Sequence, residues 1–280
     1  MNRSYLELSA ATIDSFSQIH REFHQPKILL KTPFLLPFSI VFLDQHLRSP
    51  SPVPHRRIEM LQPTHNTYLK HIGFEFLAND AEVHSSWFNS ENVILMRNFL
   101  SLTEAEHHIV EWVTGAVLPH FPSCTPPLRK DIVEQFWEIV SNALEHGQSL
   151  AGISMCGQYF PKKHYVEIAF YDAGIGIPSS VRRYDSRFTA WSDVECIEWA
   201  LEAGNTTRSH VHVGGSGLHV LEKFLAINKG ILQIASGNGY YKQHGATKER
   251  QTLQHHLQGT LVNIRVHRDS FLYSYRPHQI

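Results

Sequence analysis

Cysteine is scarce in this chain. Three occur in 280 residues, Cys124, Cys156 and Cys196, far apart and odd in number. That pattern excludes a disulfide framework and a paired-cysteine metal site, and it points to a reducing, cytoplasmic setting. A surplus of either charge is also missing: 25 Lys and Arg stand against 26 Asp and Glu, a net of −1. A general nucleic-acid binder needs a basic excess, so none is expected. Long apolar runs are absent too. Spanning a bilayer takes roughly 18 unbroken apolar residues; the most apolar window, 34–43, is shorter and contains Pro37. No membrane span is expected, and the first residues lack the apolar core of a signal peptide.

Histidine, by contrast, is abundant at 20 residues. The close pairs are His107-His108, His210-x-His212 and His255-His256. None forms HExxH and none has a neighbouring cysteine, so they read as solvated or hydrogen-bonded side chains rather than zinc ligands.

Hydrophobic spacing divides the chain at about residue 98. Before it, Ile13, Phe16, Ile19 and Phe23 fall at helical spacing. Lys27–Leu30, Phe38–Leu43 and Arg57–Leu61 read as short strands, and Pro63 opens a helix through Ile72. Residues 1–98 are therefore expected as a small α/β domain with one further strand at Val93–Met96. Residues 99–280 form the second domain. Ser101-x-x-Glu104 and Ser192-x-x-Glu195 are capping boxes that start helices. A helix over 128–146 carries Ile132, Phe136, Ile139, Val140 and Ala143 on one face, with Gly147 at its stop. Strands follow at 150–157 and 164–171, and a helix at 217–227. Ser236-Gly-Asn-Gly239 reads as a hairpin turn between Ile231–Ala235 and Tyr240–Gln243. Thr260, Val262, Ile264 and Val266 form a last alternating strand.

Three clusters in this second region carry chemistry. Glu138 and Asn142 lie four apart, so they share one helical face, which also carries the opportunity for a carboxylate beside a neutral amide oxygen; a hard cation such as Mg²⁺ favours such oxygens. Asp172-Ala-Gly174-Ile-Gly176 directly follows a strand, where the glycines allow a ligand close to the backbone. Gly214-Gly215-Ser216-Gly217-Leu218 opens a helix, and amides at a helix N-terminus form an anion site. The last is neither a GxxxxGK[ST] loop nor a Rossmann fingerprint.

Taken in order, Glu138-x-x-x-Asn142-Ala143-x-x-His146, Asp172-x-Gly174-x-Gly176 and Gly214-Gly215-x-Gly217-Leu218 resemble the N, G1 and G2 boxes of the GHKL ATPases, the superfamily of gyrase B and the histidine kinases. Gly259-Thr260 resembles the Gly-Thr that begins that family's last core strand, and the likeness covers about residues 100–268. The stretch Ala200–Arg208 is similar to the lid of stand-alone bacterial members. The resemblance implies a two-layer α/β sandwich of the Bergerat type, a mixed sheet covered by helices. Asn142 would coordinate Mg²⁺ bridging the phosphates of ATP. Asp172 would accept the adenine amino hydrogen, helped by Thr260 and a water. Gly174, Gly176 and Ile177 would line the pocket, and Gly215 and Gly217 would place amides against the phosphates. His146, Gly214, Ser216 and Leu218 complete the implied site. Glu138 would activate water as general base. Residues 177–213 would form the lid, with Arg182, Arg183, Arg187 and Arg208 as phosphate contacts. No phosphoacceptor helix pair precedes the N box, so a complete sensor kinase is not expected. Around Tyr68–Phe74 the N-terminal region is similar to a STAS-like domain. The functions implied are ATP hydrolysis that switches a protein partner, serine/threonine kinase activity like that of anti-sigma-factor kinases, or ATP sensing without catalysis. Homodimerisation stays open.

Overall fold

The structure is a computed structural model that describes residues 13–14, 27–30, 36–49, 57–60, 63–76, 90–205 and 218–274. It is a mixed α/β protein organised around one five-stranded antiparallel sheet. The sheet consists of β3 (Val93–Phe99), β5 (Ile153–Phe160), β6 (Tyr165–Asp172), β7 (Ile231–His244) and β8 (Thr247–His267), in the order β3-β5-β6-β8-β7. Among the described residues, parallel pairing is confined to two short pairs, β1 (Lys27–Leu30) with β2 (Arg57–Met60) and β4 (Ser123–Cys124) with β9 (Leu272–Tyr273). The expected mixed sheet is thus antiparallel throughout. Short connections join β5 to β6 and β7 to β8, and a short connection can only reverse the chain.

Helices pack on both faces of this sheet. On one lie α3 (Leu102–Trp112), α4 (Pro126–His146), α6 (Asp193–Leu201) and α7 (His219–Asn228). Their Ile109, Phe136, Ile197 and Phe224 share a core with Met155, Ile168, Phe170 and Ile264 of the strands. On the other lie α1 (Pro37–Arg48) and α2 (Pro63–Ile72), whose Phe38, Phe42, Leu69 and Ile72 pack with Cys156, Ala169, Tyr171 and Leu261. A single helix-covered face was expected. The difference shows in β6, where all eight residues are buried. Even Glu167 is fully enclosed, accepting from Arg265 Nη2 at 2.9 Å and Asn263 Nδ2 at 3.1 Å.

The region before residue 98 therefore supplies the edge strand β3 and the cover of the second sheet face. Helix α1 is tied down by Gln45 Nε2, which donates to Ser154 Oγ at 2.9 Å and to the Ala151 carbonyl at 3.1 Å. Phe38–Leu43, expected as a strand, lies in this helix. Pro37 occupies its first turn, where a fixed φ is already helical and no amide is needed. Every residue from Pro37 to Leu47 is buried, so the consecutive apolar residues Ile40, Val41, Phe42 and Leu43 cover all sides of the helix and show no single-faced period to read.

Ser236–Gly239, expected as a hairpin turn, lies inside β7. No turn forms there; β7 runs on, with the register shifting on either side of Gly237. Gly237 has φ +60°, the left-handed conformation of a bulge. The bulge exposes the Asn238 amide, which donates to Asp193 Oδ2 at 2.6 Å. The strands reverse instead at Gly245-Ala246. Consequently Gly259-Thr260 lies within the long strand β8, not at its start.

Candidate functional site

One row of the sheet sets the site. Register pairs Ile153 with Asp172, Asp172 with Thr260, and Thr260 with Ser236, so four strands present these side chains on one face. The next row on that face, Met155, Phe170, Val262 and Ile234, is apolar. Helix α4 crosses above. Its Leu128, Ile132, Phe136 and Val140 are buried, which aims Glu138, Ile139, Asn142, Ala143 and His146 along one side of a cleft. Helix α5 (Gly176–Tyr184) and α6 supply the facing wall through Ile177, Ser180, Val181, Ile197 and Leu201. About 1010 Å³ of empty space lies in and over the cleft, open solvent at its mouth included. Apolar walls with a few converging polar groups are the usual make-up of a small-molecule site.

Asp172 is the most constrained polar group in it. The residue is 3% exposed, and its Oδ1 accepts from the Gly174 amide at 3.0 Å. Burial pushes the carboxyl up to about 7, against the lowering effect of amide hydrogen bonds from Gly174 and Thr260. Three backbones close around it. A Cβ on Gly147 would stand 2.8 Å from Asp172 Oδ1, one on Gly174 would overlap the Gly147 carbonyl oxygen, and one on Gly259 would overlap the Asp172 carbonyl oxygen. The Ile175 amide then donates to the Gly147 carbonyl at 2.7 Å, joining the end of α4 to the turn after β6. Lack of space for a Cβ thus requires glycine at 147, which keeps a right-handed conformation at the C-cap of α4; the left-handed residue is the next one, Gln148, with φ +54°.

Gly176 opens α5 at φ +77°, and a Cβ there would stand 2.6 Å from Ser236 Oγ and 2.9 Å from the Gly259 carbonyl oxygen. Only glycine lets the turn lie this close to the sheet. Ser236 Oγ accepts from the Ile177 amide at 2.9 Å and donates to the Gly259 carbonyl at 2.6 Å. Thr260 Oγ1 lies 3.2 Å from the same hydroxyl.

The structure brings together Glu138, Asn142, His146, Asp172, Gly176, Ile177, Leu218 and Thr260 around this cleft. Gly174 sits behind Asp172 and does not line it. Gly214, Gly215, Ser216, Gly217 and Arg208 lie outside the described residues. The arginines expected at phosphates are engaged elsewhere or face outward. Arg182 donates to Asp193 Oδ1 at 2.5 Å and to the Trp191 carbonyl at 2.6 Å, bracing α5 against α6. Arg187 pairs with Asp185 at the surface, and Arg183 is exposed. The expected lid is also packed as far as Leu201, since Val181, Ile197 and Leu201 are buried in the core. Sequence reading missed Ser236, whose place is set by its register with Thr260 24 residues away.

Among the described residues no group of three or more His, Cys, Asp or Glu could hold a metal ion. The donors on α4, an amide oxygen at Asn142 and a carboxylate at Glu138, are hard oxygens. They suit Mg²⁺, which takes one or two protein ligands and keeps waters and phosphates. No described helix is long and apolar enough to cross a membrane.

No protein-family model matches this chain, and no curated protein matches it.

Proposed function

We propose that this cleft is a Mg-ATP site of the GHKL type and that the protein hydrolyses ATP to switch its interaction with a protein partner. One observation carries the reading. Asp172 is buried in the cleft floor in register with Thr260, while Asn142 and Glu138 border the same cleft one helical turn apart. A buried carboxylate at the end of an apolar slot suits the amino group of a purine, and Asp172 takes that role beside Thr260. Phe170, Ile234 and Val262 offer the apolar surface for the ring. Asn142 would hold Mg²⁺ on the phosphate side, where the ion would offset phosphate charge. Glu138 accepts a proton from the water that attacks the γ-phosphorus as the bond to the bridging oxygen breaks. On the same reading Gly215 and Gly217, which lie outside the described residues, would offer their amides to the phosphates. The helices α3, α4, α6 and α7 on one face of an antiparallel sheet favour a Bergerat-type layering for residues 99–280.

Incubation of the purified protein with γ-labelled ATP and Mg²⁺ tests this reading. Released phosphate supports hydrolysis. A labelled partner would reassign the site to a protein kinase, and bound but intact nucleotide would make it a sensor.

A further inference from the structure

Ser236 is fully buried and belongs to none of the boxes that carry the nucleotide reading. Its hydroxyl has one proton and two lone pairs. The proton goes to the Gly259 carbonyl oxygen at 2.6 Å. One lone pair accepts the Ile177 amide at 2.9 Å, a first-turn donor of α5 with no partner inside its own helix. Only the second lone pair remains for Thr260 Oγ1, at 3.2 Å. The hydrogen in that contact must therefore come from Thr260. This turns the single Thr260 proton away from the cleft and leaves its oxygen facing the ligand as an acceptor. On the neighbouring strand, Asp172 when ionised is also an acceptor without a proton. A wall with two acceptors and no donor matches an exocyclic amino group and opposes a carbonyl oxygen.

We infer that Ser236 is a positioning residue that fixes the direction of the Thr260 hydroxyl, so that the cleft selects 6-amino purine nucleotides over 6-keto ones. The inference rests on the proposal that the cleft binds a purine nucleotide. Removing the Ser236 acceptor releases Thr260 to rotate its proton toward the ligand, where it can serve a keto oxygen. Loosening of the local backbone would weaken both nucleotides alike, so the ratio of affinities isolates the polarity effect.

The test is titration calorimetry above pH 8, where Asp172 is ionised, with Mg-ATP and Mg-ITP, which differ in amino against keto at that ring position. The wild type should prefer ATP. In Ser236→Ala the ratio of the two dissociation constants should narrow by about tenfold, the scale of one neutral hydrogen bond gained and one lost. Ser236→Cys, which fills the space but accepts weakly, should give an intermediate ratio and serves if the alanine variant does not fold. In a Thr260→Val background, Ser236→Ala should leave the ratio unchanged. Preference for ATP in the wild type with the same ratio in Ser236→Ala and Ser236→Cys would overturn the Ser236 assignment alone. Failure of the wild type to bind either nucleotide would overturn the nucleotide reading and this inference with it.

Discussion

The Gly174 amide donates to Asp172 Oδ1 at 3.0 Å, and a Cβ at position 174 would stand 2.7 Å from that same oxygen while overlapping the Gly147 carbonyl. The carboxylate, the turn after β6 and the end of α4 are therefore one packed unit. The obstacle to any side chain at 174 is backbone, which cannot swing aside.

Gly174→Ala should accordingly be among the most damaging single changes in the chain, costing upward of about 3 kcal/mol by forced backbone displacement. Chemical denaturation measures it. A midpoint equal to that of the wild type would mean that the turn relaxes freely.

Asp172 couples stability to pH. Its carboxyl stands at about 7 in the folded protein, above its ordinary carboxylate range, because burial disfavours the charge. The folded state thus holds the proton more tightly than the unfolded chain. The resulting stabilisation is complete below about pH 4 and is lost as pH rises through 7, a span worth on the order of 4 kcal/mol. Asp172→Asn cannot titrate. Its stability relative to wild type should climb between pH 4 and 7 and level off above, as read from denaturation midpoints across that range. A constant difference would contradict the buried, proton-holding carboxyl.

Asn142→Ala should remove the Mg²⁺ dependence of triphosphate binding while leaving adenosine binding nearly intact. The side chain is assigned to the ion and not to the ring. Equal losses for ATP and adenosine would show that the helix, not the ion site, had been damaged.

The parts of the site legible in the sequence are those set by local spacing. Glu138 and Asn142 could be placed on one face because α4 has a regular apolar stripe and prolines at its start. Ser192 closes the capping box that its spacing announces, and Ser101 accepts from the Glu104 amide, although the Glu104 carboxylate takes the Leu100 amide instead of completing the box. Asp172 was visible as an acid at a strand end. What could not be read depends on distant partners. Glu167 alternates with apolar residues and looks solvent-facing, yet Arg265, 98 positions on, and the cover of α1 and α2 make it interior. Arg182 is committed to Asp193, a residue of another helix that local spacing does not connect to it. Ser236 looked like part of a turn because the Asp193 carboxylate that holds the bulge lies on another element.

Glu138→Ala should separate binding from turnover. One turn from Asn142, its carboxylate can serve the phosphate side without touching the base. Mg-ATP affinity should stay within a few-fold of wild type, while phosphate release slows by about 10²–10⁴-fold, the usual worth of a general base. Parallel losses in both would reassign Glu138 to binding, and unchanged turnover would remove it from the mechanism.

The most direct test is titration calorimetry of Mg-ATP above pH 8, where Asp172 is ionised, against the wild type and Asp172→Ala, with circular dichroism to establish that both are folded. The account predicts saturable one-site binding by the wild type and a loss of about ten- to a hundredfold in Asp172→Ala, since hydrogen bonds to a charged group are worth about 1.5–3 kcal/mol. Equal affinity in the two proteins, or no binding by the folded wild type, would contradict it.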